Sequence, residues 1–155
     1  MNIRNAASWL SALLVIAGTI LGFMSCASQG LPRLGLTDGK LGPCPDSPNC
    51  VCSEHEGKVS RVEPLAFKGD PQRAWKNARD AVLDIGGNIE KEMDGYLWAT
   101  FTSRLFRFVD DLELRMEETS HNIHVRTASR VGYSDLGVNR ERIQSLRNSF
   151  NEKSN

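Results

Sequence analysis

The stretch RLFRFVDDLELRMEE, residues 104–118, alternates between apolar and polar side chains. Phe106, Phe108, Leu112, Leu114 and Met116 take one parity; Arg107, Val109, Asp111, Glu113 and Arg115 take the other. Successive side chains of a strand point to opposite faces, so this rhythm makes a strand with one buried face. NIHVRTASRV, 122–131, keeps the period, with Ile123, Val125, Thr127, Ser129 and Val131 on one face. A turn over Glu118–Asn122 joins the two strands. Laying the apolar faces together pairs Met116 with Ile123, Leu114 with Val125 and Leu112 with Thr127. On the outer face Glu113 then meets Arg126, an opposite-charge surface pair worth ~0.3 kcal/mol.

One residue breaks the pattern. Asp110 falls on the apolar face, opposite Ser129, among Phe106, Phe108, Leu112 and Leu114. An ionised carboxylate cannot remain unpaired among such neighbours. Either a bulge turns it outward, or polar partners surround it. Ser129, Tyr133 and Asn139 are the expected partners, with Arg130 or Arg140 as counter-charge. Two roles are open to such a cluster. It ties the strand end to the last helix, or it forms a polar pocket where Asp110, Ser129, Arg130, Tyr133, Asn139 and Arg140 bind a ligand. Arg130, Arg140 and Arg142 lie before or just inside a helix start, where free N–H groups attract anions, so an anion is one ligand class.

The remaining elements set the fold class. KVSRVEPLAF, 58–67, reads as a first strand, with Pro64 marking an edge or bend. In GDPQRAWKNARDAVLDIGG, Asp70 caps, Pro71 opens and Gly86-Gly87 close a helix over 71–85. Ala74, Trp75, Ala78, Val82 and Ile85 share one helical face. Asp94-Gly95 is a hairpin turn between two short strands. NRERIQSLRNSFNEK is a final helix whose stripe is Leu136, Ile143, Leu146 and Phe150, with Asn139 on the same line. Ser134 or Asp135 leads into it. Strand, helix, several antiparallel strands, helix is the order of an α+β two-layer sandwich, with both helices packed on one face of an antiparallel sheet. Trp75 and Trp98 read as core aromatics. His121 falls in a turn and His124 on the outward face, both as solvated surface.

Upstream, MNIRNAASWLSALLVIAGTILGFMSCASQG has one charge, Arg4, and an apolar run of about 16 residues from Trp9 to Met24, the pattern of a secretory signal. Phe23-Met24-Ser25-Cys26 resembles a bacterial lipobox, in which the Cys is lipidated and becomes the mature N-terminus. Plain cleavage near Ala27 and an uncleaved anchor are the other readings. The expected organisation is a signal with lipobox over 1–26, a Gly- and Pro-rich tether over 27–43 and one domain over 44–151. The protein is then exported and held in the bacterial cell envelope, at the outer membrane or periplasmic face, through lipidated Cys26. Charges balance at 19 against 19 without a basic run, which argues against nucleic acid as a partner.

Export governs the cysteines in LGPCPDSPNCVCSEHEG, 41–57, because an envelope compartment favours disulfides. Cys44 and Cys50 close a short loop around Pro45, Pro48 and Asn49. Cys50 and Cys52 pair poorly, since alternate Cα atoms of an extended chain stand about 6.5–7 Å apart. A Cys44–Cys50 disulfide with Cys52 left over is expected. A zinc site of Cys44, Cys50, Cys52 and His55 has the right ligand types but an uncommon spacing. A thiol redox protein using Cys44, Cys50 and Cys52 is a further alternative. No metal and no cofactor are expected.

CPDSPNCVCS, FVDDLEL at 108–114 and SRVGYSDLGVNRERI together resemble the domain-of-unknown-function family numbered 1499, found in bacteria and plastid-containing organisms. The resemblance covers about residues 41–150 and implies that Cys44, Cys50, Asp110, Asp111, Arg130, Tyr133, Asp135, Asn139 and Arg140 sit at motif positions. The family pattern has Ser where this chain has Cys52, which weakens any zinc or thiol mechanism built on Cys52. The family implies no activity. The functional expectation is an envelope domain that binds a small ligand or an envelope partner. The alternative is a hydrolase-like enzyme using Asp110 with Tyr133 and Arg130.

Overall fold

In a computed structural model, residues 34–54, 56 and 59–154 are described. The signal, Cys26 and His55 lie outside them. The described elements are β1 (Leu36–Thr37), β2 (Lys40–Leu41), β3 (Cys50–Cys52), β4 (Leu65–Ala66), α1 (Pro71–Asp84), β5 (Asn88–Met93), β6 (Tyr96–Thr102), β7 (Val109–Glu117), β8 (Asn122–Ser129) and α2 (Val138–Ser154). Strands β3, β8, β7, β6 and β5 lie side by side in that order, all antiparallel, and β4 pairs with the far part of β8. The fold is an α+β sandwich.

The β7–β8 register is the one that alternation selects: Leu112 opposite Thr127, Leu114 opposite Val125, Met116 opposite Ile123 and Asp110 opposite Ser129. Leu97, Ala99, Leu112, Leu114, Ile123 and Val125 make the sheet's share of the main core. Ala74, Ala78, Ala81 and Val82 of α1 and Ile143, Leu146 and Phe150 of α2 pack against them. Helix α1 begins where a cap and a proline require: Asp70 accepts from the N–H groups of Gln72 and Arg73 at 3.2 and 3.0 Å. Asp94-Gly95 joins β5 to β6, with Gly95 at φ 69°, a conformation glycine adopts without a Cβ penalty.

Four expectations are corrected. The strand expected over 58–67 shrinks to Leu65–Ala66, and the edge beside β8 is taken instead by Cys50–Cys52. Pro64 cannot donate to a ladder, and its segment is held by Arg147, which donates to the carbonyls of Glu63 and Pro64 at 2.7 and 2.9 Å. Phe106 and Phe108 precede β7 rather than extend its inner face, because Arg107 turns the chain at φ 57°; Phe106 is exposed and stacks on Phe108. Leu136 stands outside the helix and is exposed, with φ 56°.

The fourth correction concerns the second face of the sheet. From Leu34 the chain expected as a tether folds back, β1 and β2 form a hairpin, and Leu41 buries beside Cys44, Cys50, Cys52 and Tyr96. This cover makes the outer face a second, small interior. Cys44 and Cys50 form the expected disulfide, with Cα atoms 5.6 Å apart. Cys52 is a buried free thiol, and burial pushes its pKa up. Trp98 is half-buried in this layer, whereas Trp75 is half-buried against the main core.

Candidate functional site

The side chains expected to accompany Asp110 converge in part. Asp110 is the second residue of β7, Thr127 and Ser129 lie at the end of β8, and Asn139 and Arg142 occupy the first turns of α2. Alternation carries Asp110 to the helix side of the sheet, and the 3-residue step from Asn139 to Arg142 brings both onto one helical face. Arg142 Nη2 donates to Asp110 Oδ2 at 2.6 Å. Its Nη1 donates to Asn139 Oδ1 and, at 3.2 Å, to Thr127 Oγ1. Asn139 is fully buried; its Oδ1 accepts from Thr127 Oγ1 at 2.7 Å, and its amide donates to the Asn49 carbonyl at 2.9 Å and to Ser129 Oγ at 3.1 Å. The guanidinium carbon of Arg142 lies 4.6 Å from the centroid of the Phe101 ring, a cation–π contact.

The counter-charge to Asp110 is therefore Arg142, not Arg130 or Arg140. Position 130 follows β8 with the opposite parity, and Arg130 reaches Asp111 on the other face: Nε to Oδ2 at 3.0 Å and Nη2 to Oδ1 at 2.9 Å. That hydrogen-bonded pairing raises the Arg130 pKa. Trp98 Nε1 donates to the same carboxylate at 2.8 Å. Arg140 points along the flank of α2 and donates to the carbonyls of Val59 and Arg61 at 2.6–3.3 Å. Tyr133 is 77% exposed in the loop before α2. Asp110, Ser129 and Asn139 thus assemble, while Arg130, Tyr133 and Arg140 stand apart from them. The helix start is served by its own loop: Asp135 accepts from the N–H groups of Gly137 and Asn139 at 3.0 and 2.8 Å, and Ser134 from Leu136 at 3.2 Å.

A groove of about 440 Å³ opens beside the cluster, lined by Ile85, Phe101, Val138, Glu141, Arg142 and Ser145. Arg142 is its link to Asp110. The groove offers an apolar floor, a cation and a few hydrogen-bonding groups, the usual ingredients of a small-ligand site.

The outer face holds polar groups that sequence reasoning placed on the surface. Glu113 is fully buried and accepts from Gly35 N–H at 2.8 Å, Tyr96 Oη at 2.7 Å and Arg126 Nη1 at 2.7 Å. Burial first, then the Glu113 hydrogen bond, push the Tyr96 phenol well above its ordinary value, so it stays a neutral donor. His124 likewise is not solvated surface: Nδ1 lies 3.1 Å from Ser53 Oγ and Nε2 3.2 Å from Glu117 Oε2. Ser53 Oγ also accepts the Val125 N–H at 3.0 Å, and Ser53 is buried, so the Ser53–His124–Glu117 line fastens the end of β3 to β8. His121 stays in an exposed turn, its ring 5.3 Å from that of Phe67. The zinc set loses two ligands to the disulfide.

The fold and these sites define a small α+β domain with one disulfide staple and a polar cluster at one end of the sheet. The model of a family described as a protein of unknown function (DUF1499) matches residues 40–150, and the chain belongs to that family. No curated protein matches the chain.

Proposed function

We propose that this protein is a cell-envelope lipoprotein, anchored through Cys26, whose domain binds a small ligand or an envelope partner in the groove beside Asp110 and Arg142. The observation that carries the reading is the placement of Arg142. It forms part of the groove wall, stacks on Phe101 and is held by Asp110, so a cation is preorganised against an apolar surface. A ligand with an apolar body and an acidic or carbonyl oxygen fits that chemistry. Asp110 acts here by orienting Arg142.

The test is a fragment screen by NMR on isotope-labelled full chain in detergent micelles. Fragments pairing an aromatic ring with a carboxylate should shift the amides of Val138, Glu141, Arg142 and Ser145 together, and Arg142→Gln should weaken them at least five-fold. Shifts confined to other surfaces, or none across such fragments, would overturn the reading.

A further inference from the structure

The same end of the sheet carries an unusual loop. Strands β6 and β7 are joined by Ser103–Phe108, SRLFRF. The loop is a tight turn: Ser103 N–H donates to the Phe108 carbonyl at 2.8 Å, Phe108 N–H to Ser103 Oγ at 2.9 Å and Arg107 N–H to the Ser103 carbonyl at 3.2 Å. Its tip presents Leu105, 78% exposed, and Phe106, 44% exposed. Arg104 and Arg107 flank them, both exposed, and neither pairs with a carboxylate among the described residues. Arg107 holds a left-handed backbone, φ 57°, that non-glycine residues rarely adopt. Tyr133 and Leu136 of the β8–α2 connection and Val138, the first residue of α2, are exposed, and the antiparallel topology brings them to this same end. The opposite end has the turns after β5 and β7, with Asp94 and Glu118, while this end also holds Asp46, Asp135 and Glu141 near the start of β3 and of α2.

We infer that this end of the domain docks on an anionic lipid surface, with Leu105 and Phe106 entering the interface and Arg104 and Arg107 meeting the headgroups. Apolar side chains rimmed by unpaired cations are the chemistry of interfacial binding, and each basic residue near such a surface attracts anionic lipid. The chain outside the described residues permits the pose. Gly35 is fastened to Glu113, about four residues and ~13 Å along β7 from its start. The nine residues back to Cys26 span up to about 30 Å when extended. An anchor at Cys26 therefore reaches the bilayer with the loop end down. The inference rests on the anchoring proposed above, and it explains why apolar side chains are left uncovered here: the second surface is the membrane to which the chain is tied.

The test uses the full chain, carrying Leu105→Cys in a Cys52→Ser background, labelled with an environment-sensitive fluorophore. Mass spectrometry counts any label at Cys26. The protein is reconstituted into vesicles of phosphatidylethanolamine with phosphatidylglycerol, or of phosphatidylcholine alone. Flotation reads the anchor; emission shift and quenching by acyl-chain-brominated lipid read the loop. The expected result is flotation with both lipids and a blue-shifted, lipid-quenched probe on the anionic vesicles. Arg104→Gln and Arg107→Gln should each lower the inserted population about five-fold without changing flotation. A chain that floats while its probe stays in water, or inserts equally in phosphatidylcholine, overturns the inference and leaves the anchor standing. A probe that self-quenches between protein copies assigns the patch to a second copy and also overturns it. A chain that fails to float overturns the anchor reading and this inference with it.

Discussion

Replacing Asp110 by Asn keeps the side chain's size and removes its charge. Asp110 and Arg142 meet at 2.6 Å with side chains 14% and 10% exposed, so the pair is largely withdrawn from water. Breaking one half of a fully buried pair costs about 3–5 kcal/mol, mostly through the charge left behind. Here some water remains, and Arg142 keeps Asn139, Thr127 and the Phe101 ring, which lowers the expected loss for Asp110→Asn to about 2–3 kcal/mol. Arg142→Gln should cost about as much, because it strands Asp110 and forfeits a cation–π contact worth about 0.5–1 kcal/mol. The double variant removes both charges together, so it should lose about 3 kcal/mol, not the sum, and the cycle should give a coupling of about 2 kcal/mol. Urea unfolding of the full chain in nonionic detergent, followed by tryptophan fluorescence and far-UV circular dichroism, measures all four proteins. Losses below about 0.5 kcal/mol with additive singles would refute the claim that this pair fastens β7 to α2.

Gly87→Ala should destabilise the domain by about 2 kcal/mol, since an added Cβ would lie 2.7 Å from Val82 Cγ1, 2.8 Å from Phe101 Cζ and 2.9 Å from the Val82 carbonyl. Thermal unfolding should show a midpoint lower by about 6–8 °C, and an unchanged midpoint would mean that Phe101 is free to shift. Acid should weaken the β7–β8 turn. Hydrogen bonds from Ser120, His124 and Arg115 hold the Glu117 pKa down from 4.5 to about 2. A depressed carboxylate stabilises fully above its unfolded value, so this contribution is complete above pH 4.5 and is lost as pH falls toward 2. Glu117 is more than a third exposed, and solvent screening limits the effect to about 1 kcal/mol. Glu117→Gln should flatten that part of the stability–pH curve, measured by urea midpoints; an unchanged slope would assign it to other carboxylates such as Glu54.

The β7–β8 register was legible because each strand has a wide apolar face, and a slip by one residue would turn every inner side chain outward. The helices were legible for the same kind of reason: Asp70, Pro71 and Gly86 mark the bounds of α1 through local backbone chemistry. Residues 34–41 were not legible. They carry no period, and their glycines and polar side chains resemble linker composition. What holds them is remote in sequence: Gly35 on Glu113 and Leu41 N–H on Glu54. The same long-range cover turned Glu113 from a surface residue into a buried one. Burial resists the ionisation of Glu54, yet the hydrogen bonds from Arg115 and Leu41 and the charge of Arg115 outweigh it and hold its carboxyl below the ordinary range. No local pattern announces such a layer.

Asp110-Asp111 shows how far one local pattern can carry and where it stops. Adjacent residues on a strand face opposite ways, so two neighbouring carboxylates look to separate sets of partners. Alternation alone therefore calls for a separate partner on each side of the sheet. It does not say which one, because the choice depends on the phase of α2 relative to β8. Arg130 leaves β8 with the parity of the outer face and closes on Asp111. Arg142 is the arginine whose helical position shares a face with Asn139, and the buried Asn139 amide locks that face toward Thr127 and Ser129. Fixing the helix phase through Asn139 thus fixes the identity of Asp110's partner, and with it the cation presented to the groove. Asn139 is for this reason the residue on which the site's geometry turns, although neither its charge nor its reactivity would single it out.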